Sequence, residues 1–301
     1  MMNEKELSKA ARIVPQTNFV LSEFMAMLVG EKPAIVTSFQ NRGEDSFIKT
    51  NFPGLFMAIG NGSWYIKEPI LAISRNKEFA RQAADYLNVV SIEAQGRVLG
   101  YPNCCSKRHA DFCRDGKALD SSFIVFETHR SSEKHNYLLN NLFNFYSRLG
   151  MDQGRFDDFI RYGKVNERIL GFYAFHLEYI SHIPCRYDCP KSVKIGKRIE
   201  SILRKYAPVM ENNIKYSLAK PVLFFNLFNL VVFDGYCEGD TLFYSKVAPP
   251  YFPSASTLVA LLKEGNRIVV SDRRISIYNG NKKLFSYKKK SIRDGFIIDF
   301  K

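Results

Sequence analysis

Apolar positions recur at helical spacing early in the chain. Leu21, Phe24, Met25 and Leu28 fall at i, i+3, i+4 and i+7, and Gly30 follows them, which predicts a helix within residues 17–30. Shorter apolar runs at 34–38, 55–60, 63–67 and 70–74 predict strands, with Asn61-Gly62 as a hairpin turn between two of them. Asn76 is placed to cap a helix that runs to Leu87. The first 90 residues therefore read as a small α+β region.

The pattern then changes. Leu138, Leu142, Phe145 and Leu149 form a helical stripe within 133–149, and 156–162 reads as a second short helix. Pro190 opens a third helix, with Val193, Ile195, Ile199, Ile202 and Leu203 on its apolar side. Residues 91–207 thus form a mainly helical region. From about Lys220 the pattern turns to strands. Runs at 222–233 and 241–247 are joined by the turn-rich DGYCEGD, Ser254 is placed to cap a helix to Lys263, and 267–271, 275–278 and 283–287 are short strands, with Asn279-Gly280 as a turn. Residues 208–301 read as a small basic β-rich domain with one helix. The expected fold class is α+β, a mainly helical, cysteine-bearing middle region followed by a small β-rich C-terminal domain.

Composition adds a partner class. The chain has 301 residues, 46% of them apolar, and a formal net charge of +13. Such an apolar fraction excludes disorder, and the charge suits an anionic partner. Residues 263–301 hold eleven Lys and Arg against four Asp and Glu, a net +7 and more than half of the excess. Arg273, Arg274, Lys288, Lys289 and Lys290 lie there, with Tyr278, Phe285 and Tyr287 interleaved, a composition that suits nucleic acid or another anionic ligand. The same lysines also suit a solvated strand edge that resists pairing. The opening MMNEKELSKAARIVPQ has mixed charge and no apolar core, so a secretory leader is not expected. The most apolar run, 221–233, has 13 residues and two asparagines, too short for a membrane span of about 20 residues. A cytoplasmic chain without a membrane partner is expected, its oligomeric state open.

The six cysteines bring in chemistry. A long chain without a leader uses cysteines as thiols or metal ligands rather than as a disulfide framework. Gly100-Tyr101-Pro102-Asn103-Cys104-Cys105 places two of them at the start of a helix capped by Asn103. His182-Ile183-Pro184-Cys185-Arg186-Tyr187-Asp188-Cys189-Pro190 places Cys189 at another helix start. Helix N-termini favour thiolate, and thiolates take soft or borderline metals. His182, Cys185 and Cys189 supply three ligands and Cys104 or Cys105 a fourth, since adjacent side chains usually diverge. The spacing matches neither a zinc ribbon nor a ferredoxin, so the cofactor reads as an iron–sulfur cluster or zinc. Burial alone accounts for many cysteines, and Cys113 and Cys237 are assigned to packing. His109 could share a helix face with Cys105 and Cys113. His129, His135 and His176 carry no companion signal.

At these two clusters the chain resembles the uncharacterised prokaryotic family designated domain of unknown function number 483. Leu99-Gly100-Tyr101-Pro102, Cys104-Cys105, His182, Pro184-Cys185 and Cys189 carry the resemblance, with weaker echoes at 221–223, 233–235 and 264–266. It groups the four cysteines with His182 and implies no reaction. The chain lacks P-loop, Rossmann, nucleophile-elbow and H-E-x-x-H motifs, and the Asp157-Asp158 pair reads as solvated helix surface. Three functions are consistent with these residues: a Cys/His metal or reactive-thiol site of unknown reaction, a nucleic-acid-binding protein with a structural metal, or a metal-free thiol-redox protein. Whether the chain is an enzyme stays open.

Overall fold

The structure, a computed structural model, describes residues 4–17, 19–39, 43–61, 69–85, 91–117, 120–142, 177–226, 229–251 and 256–301. The expected strand 63–67, the helix 156–162, Asp157-Asp158, His176 and Ser254 lie outside the described residues, as does most of the stripe 133–149. Within the described part of that stripe, a single 3-10 turn covers Tyr137–Leu139.

The chain is α+β, with ten α-helices and ten strands among the described residues. Helices α1 (Glu4–Ile13) and α2 (Leu21–Leu28) precede β1 (Ala34–Ser38), α3 (Glu44–Asn51), β2 (Phe56–Gly60), β3 (Ile70–Ser74) and α4 (Lys77–Ala84). These strands form a three-stranded antiparallel sheet in the order β1-β3-β2. The central strand is buried along its whole length, which is why Ile70-Leu71-Ala72-Ile73 shows no polar alternation. The Asn76 side chain accepts hydrogen bonds from the amides of Glu78 at 2.8 Å and Phe79 at 3.3 Å, as its capping position predicted.

Helices α5 (Ile92–Val98), α6 (Asn103–Arg114), α7 (Ser121–Arg130), α8 (Pro190–Tyr206) and α9 (Pro208–Leu218) form the helical layer. Strands β4 (Pro221–Asn226), β5 (Asn229–Glu238), β6 (Thr241–Tyr251), β7 (Arg267–Val270), β8 (Arg274–Asn279), β9 (Lys282–Lys288) and β10 (Phe296–Asp299) complete the chain, with α10 (Ser256–Glu264) between β6 and β7. They build a seven-stranded antiparallel sheet, a meander from β4 to β9 with β10 returning to pair with β4. The segment DGYCEGD is mostly strand. β5 runs through Glu238, and the turn is confined to Gly239-Asp240, because Asp234 to Glu238 find ladder partners on β6.

The apolar run at 221–233 divides its side chains between two cores. Val222, Phe224, Leu230 and Val232 join the large cluster that the helices share, which takes residues from Leu7 to Phe300. Leu223, Val231 and Phe233 point the other way, into a second cluster closed by Val259 and Leu262 of α10. Both faces of these strands are covered at Val222–Phe224 and Leu230–Phe233, so those positions are all apolar. Among the described residues, no helix is long and apolar enough to cross a membrane.

Two histidines join α7 to the C-terminal strand. His129 Nδ1 lies 2.8 Å from His135 Nε2, and the His129 ring stacks on Phe296 of β10, with centroids 5.1 Å apart. One ring must donate and the other accept, so the contact holds a single proton between them. Burial, and then the neighbouring His135, push His129 down to about 4. The unfolded chain binds the extra proton near pH 6.5. Stability should therefore be complete above that pH and fall as pH drops toward 4, by roughly 3 kcal/mol at most. Urea midpoints at pH 7 and pH 5 for the wild type and His129→Phe check this. The variant should show the flatter dependence, and equal dependence in both proteins would count against the assignment.

Candidate metal centre

Both cysteine clusters owe their placement to local backbone chemistry. Gly100 ends α5 at φ +74°, and a Cβ there would meet Glu31 O and Pro33 Cδ at 2.9 Å. Only glycine combines that conformation with so close an approach. The amide of Tyr101 then donates to Gly96 O at 2.7 Å, and the Pro102 carbonyl accepts from the amides of Cys105 at 2.9 Å and Ser106 at 3.0 Å. Pro102, rather than Asn103, is thus the cap residue of α6; Asn103 is already helical, because Pro102 holds the extended conformation that a cap requires. On the other side, the amide of Cys189 donates to Arg186 O at 3.1 Å, and Cys189 caps α8, with Pro190 in its first turn.

These two helix starts meet. Cys104 Sγ lies 3.7 Å from Cys189 Sγ and 4.0 Å from Cys105 Sγ, and Cys105 Sγ lies 3.8 Å from Cys189 Sγ. With Cys185 the four sulfurs all lie within 4.8 Å of one another. The adjacent pair does not diverge as expected. Helical side chains tilt toward the N-terminus, so in the first turn of α6 both project past the helix end into the same space. Cys105 and Cys189 are buried, Cys185 is half-buried and Cys104 is exposed.

His182 stands behind this group. It is buried, and its Nε2 lies 2.7 Å from Ser192 Oγ, which lies 3.3 Å from Cys105 Sγ. The Cys185 amide donates to Cys105 Sγ at 3.3 Å. Ser192 is therefore a participant that sequence reading missed. Its position in the first turn of α8, near Cys189, is the signal that could have found it. Cys113 touches His109 Nε2 at 3.9 Å, away from the four sulfurs, and burial raises its thiol. Cys237 lies on β5, where burial, and then Asp299, push it up to about 12.

The thiols share their protons unequally. Hydrogen bonds from Cys105, and then Cys185, hold Cys189 far below the ordinary thiol range. Cys105 is driven far up by its contacts with Cys185 and then Cys189, and by burial. The thiolate is favoured at Cys189 and the protonated thiol at Cys105 and Cys185, because like charges this close oppose one another. Full ionisation of the group requires a cation.

A second buried polar group abuts the first. Lys32 follows α2 and is 6% exposed. Its ammonium pairs with Glu23, donates to Ser181 Oγ at 2.8 Å and sits 5.0 Å from the Tyr101 ring. Burial pulls the Lys32 ammonium down, but the Glu23 carboxylate, followed by Tyr101, outweighs it and raises the group. Tyr101 in turn packs against His182, with ring centroids 5.2 Å apart.

The basic residues of the tail gather elsewhere. Arg274 of β8 lies opposite Lys288 of β9, and the Lys289 amide donates to Arg273 O at 2.9 Å. Arg273, Arg274, Lys288 and Lys290 are exposed, and Lys289 Nζ reaches Ser271 O at 3.1 Å. The aromatics expected among them separate. Phe285 and Tyr287 pack into the second core, and Tyr278 points to the other face of the sheet.

Fold and site together define an α+β protein with a cluster of four cysteines that could hold a metal ion. Compared with known proteins, the chain matches no family model, no curated protein and no solved structure.

Proposed function

We propose that the protein binds one zinc ion through Cys104, Cys105, Cys185 and Cys189, and that the ion ties the start of α6 to the start of α8. The observation that carries this is the sulfur spacing. A tetrahedral ion with metal–sulfur bonds of about 2.3 Å has sulfur–sulfur edges of about 3.8 Å. Three of the six separations, 3.7, 3.8 and 4.0 Å, match that edge, and all six lie within 4.8 Å. A multinuclear iron–sulfur cluster hands its thiolates to different irons and spreads them wider, so the spacing favours a single ion. Four protein ligands leave no open coordination position, which is the arrangement of a structural site. His182 then acts through Ser192, orienting the hydroxyl toward Cys105 rather than binding the metal itself. The resemblance to the uncharacterised family groups these same cysteines, and we retain it as part of this proposal. Six free thiols suit a reducing compartment.

Metal analysis of anaerobically purified protein tests the reading. One zinc per chain is expected, with no visible colour. Cobalt exchanged into the site should give the absorption of a tetrathiolate ion. A brown protein with acid-labile sulfide would replace zinc with a cluster. A metal-free protein whose four thiols titrate freely would leave only thiol chemistry and overturn the proposal.

A further inference from the structure

Among the described residues, the helical layer covers only part of the seven-stranded sheet. Along β5 the even-numbered positions face that layer. Leu230 and Val232 are buried in the large core, whereas Tyr236 and Glu238 lie exposed beyond it. Tyr236 begins a row that crosses five strands. It lies opposite Phe243, Phe243 opposite Arg267, Arg267 opposite Tyr278, and Tyr278 opposite Lys283. Directly opposed residues share a face. Their chain neighbours Leu242, Ile268 and Ile277 are buried on the other side, under α10. The row therefore stands on the face that the helices leave bare among the described residues.

Rings and cations alternate along it. The Tyr236 and Phe243 rings stack with centroids 5.4 Å apart and planes at 22°. The Arg267 guanidinium lies 4.6 Å from the Tyr278 ring, and Lys283 Nζ lies 5.7 Å from the same ring. Tyr236 is 54% exposed, a large apolar surface to leave in water. Together with Phe243, Arg267, Asn266 and Asn281 it lines a depression of about 530 Å³. Farther along the same face, Arg274 and Lys288 lie opposite each other, both exposed. The acidic residues of this field are Glu238 and Asp234; Asp234 also lines the depression, where it is paired with Lys220 and Lys246.

From this arrangement we infer that the bare half of the sheet binds single-stranded nucleic acid. Bases stack on Tyr236, Phe243 and the Arg267–Tyr278 pair, and phosphates meet Arg267, Arg274, Lys283 and Lys288. Every base has a π-face, so such a row serves any sequence, whereas a duplex hides those faces in its own stack. Five strands at about 4.8 Å spacing carry the row over roughly 19 Å, enough for a short run of nucleotides. A protein partner would favour an apolar centre with charges at its rim; here the cations stand between the rings. The inference does not rest on the metal.

Fluorescence anisotropy tests it, using the full, metal-loaded chain and a labelled oligo(dU) of about 15 nucleotides. Binding should weaken steeply as salt rises. Tyr236→Ala should weaken it about tenfold at every salt concentration. Because that side chain is more than half exposed, the fold should survive, which circular dichroism checks. The double variant Lys283→Ser/Lys288→Ser should lower the slope of log affinity against log salt by about 1.4. Absence of binding at low salt overturns the inference, as does equal affinity for a duplex of the same length or no effect of Tyr236→Ala. A dimer seen by light scattering and lost in Tyr236→Ala would assign the face to a second copy of the chain and overturn it as well.

Discussion

Cys104→Ser is expected to cost about 5 kcal/mol or more of stability, although its side chain is exposed. A surface serine in place of a surface cysteine ordinarily changes stability by less than about 0.5 kcal/mol. The large expected loss follows from the proposed zinc ion. Structural zinc contributes apparent binding free energies of roughly 10–16 kcal/mol in small zinc-dependent peptides, and that binding energy is folding energy. A chain with a large core of its own loses only part of such a figure. Chelation of wild-type protein should therefore reproduce most of the effect of Cys104→Ser, and chelation of the variant should add little. Cys189→Ser should cost more, since Cys189 is 1% exposed and caps α8. Calorimetric unfolding with and without chelator is the measurement. If wild type and Cys104→Ser unfold alike under both conditions, the ion does not hold the fold together.

Lys32→Met should cost about 3–5 kcal/mol, for a different reason. The Lys32 ammonium is 6% exposed and pairs with Glu23, itself 13% exposed, while Ser181 accepts its other hydrogen bond. Removing the ammonium leaves the carboxylate buried without its main partner, and the uncompensated charge dominates the cost. The double variant Lys32→Met/Glu23→Leu should recover much of the loss, because two apolar groups need no pairing. Urea unfolding of the two single variants and the double variant completes the cycle. A single-variant cost below about 1 kcal/mol would show that solvent reaches the pair. Ser181 precedes His182, and Tyr101 precedes Pro102 and Asn103, so the loss should also loosen the cysteine group. Metal affinity measured in Lys32→Met reads that second effect.

The helix start at Cys104-Cys105 and the one after Cys189 were legible in the sequence because proline restricts the backbone locally. Pro102 keeps Tyr101 before it out of the helix and Pro190 fits a first helical turn, although the cap of α6 falls on Pro102, one residue before the expected Asn103. The strands at 34–38 and 70–74 were legible for a similar reason: short apolar runs admit few conformations. Short, weakly patterned elements were not. Helix α3 follows Gly43 without a side-chain cap, and β10 has four residues and is held by its pairing with β4. The basic face was misjudged at two aromatics out of three. Bulges on β6 and β9 change which residues share a side, and no local pattern announces a bulge.

Local rules in the chain thus specified the thiol-bearing turns, the α+β order of elements and the concentration of charge in the tail. Each depends on a residue and its near neighbours. The meeting of Cys104 and Cys105 with Cys185 and Cys189, about eighty residues apart in sequence, came only with packing of the helical layer. So did the pairing of Lys32 with Ser181, the proton shared by His129 and His135, and the row from Tyr236 to Lys283. The physical reason is the same in each case. A side chain's partner is set by which surfaces the core brings into contact, and that choice is made by long-range burial rather than by local backbone preference.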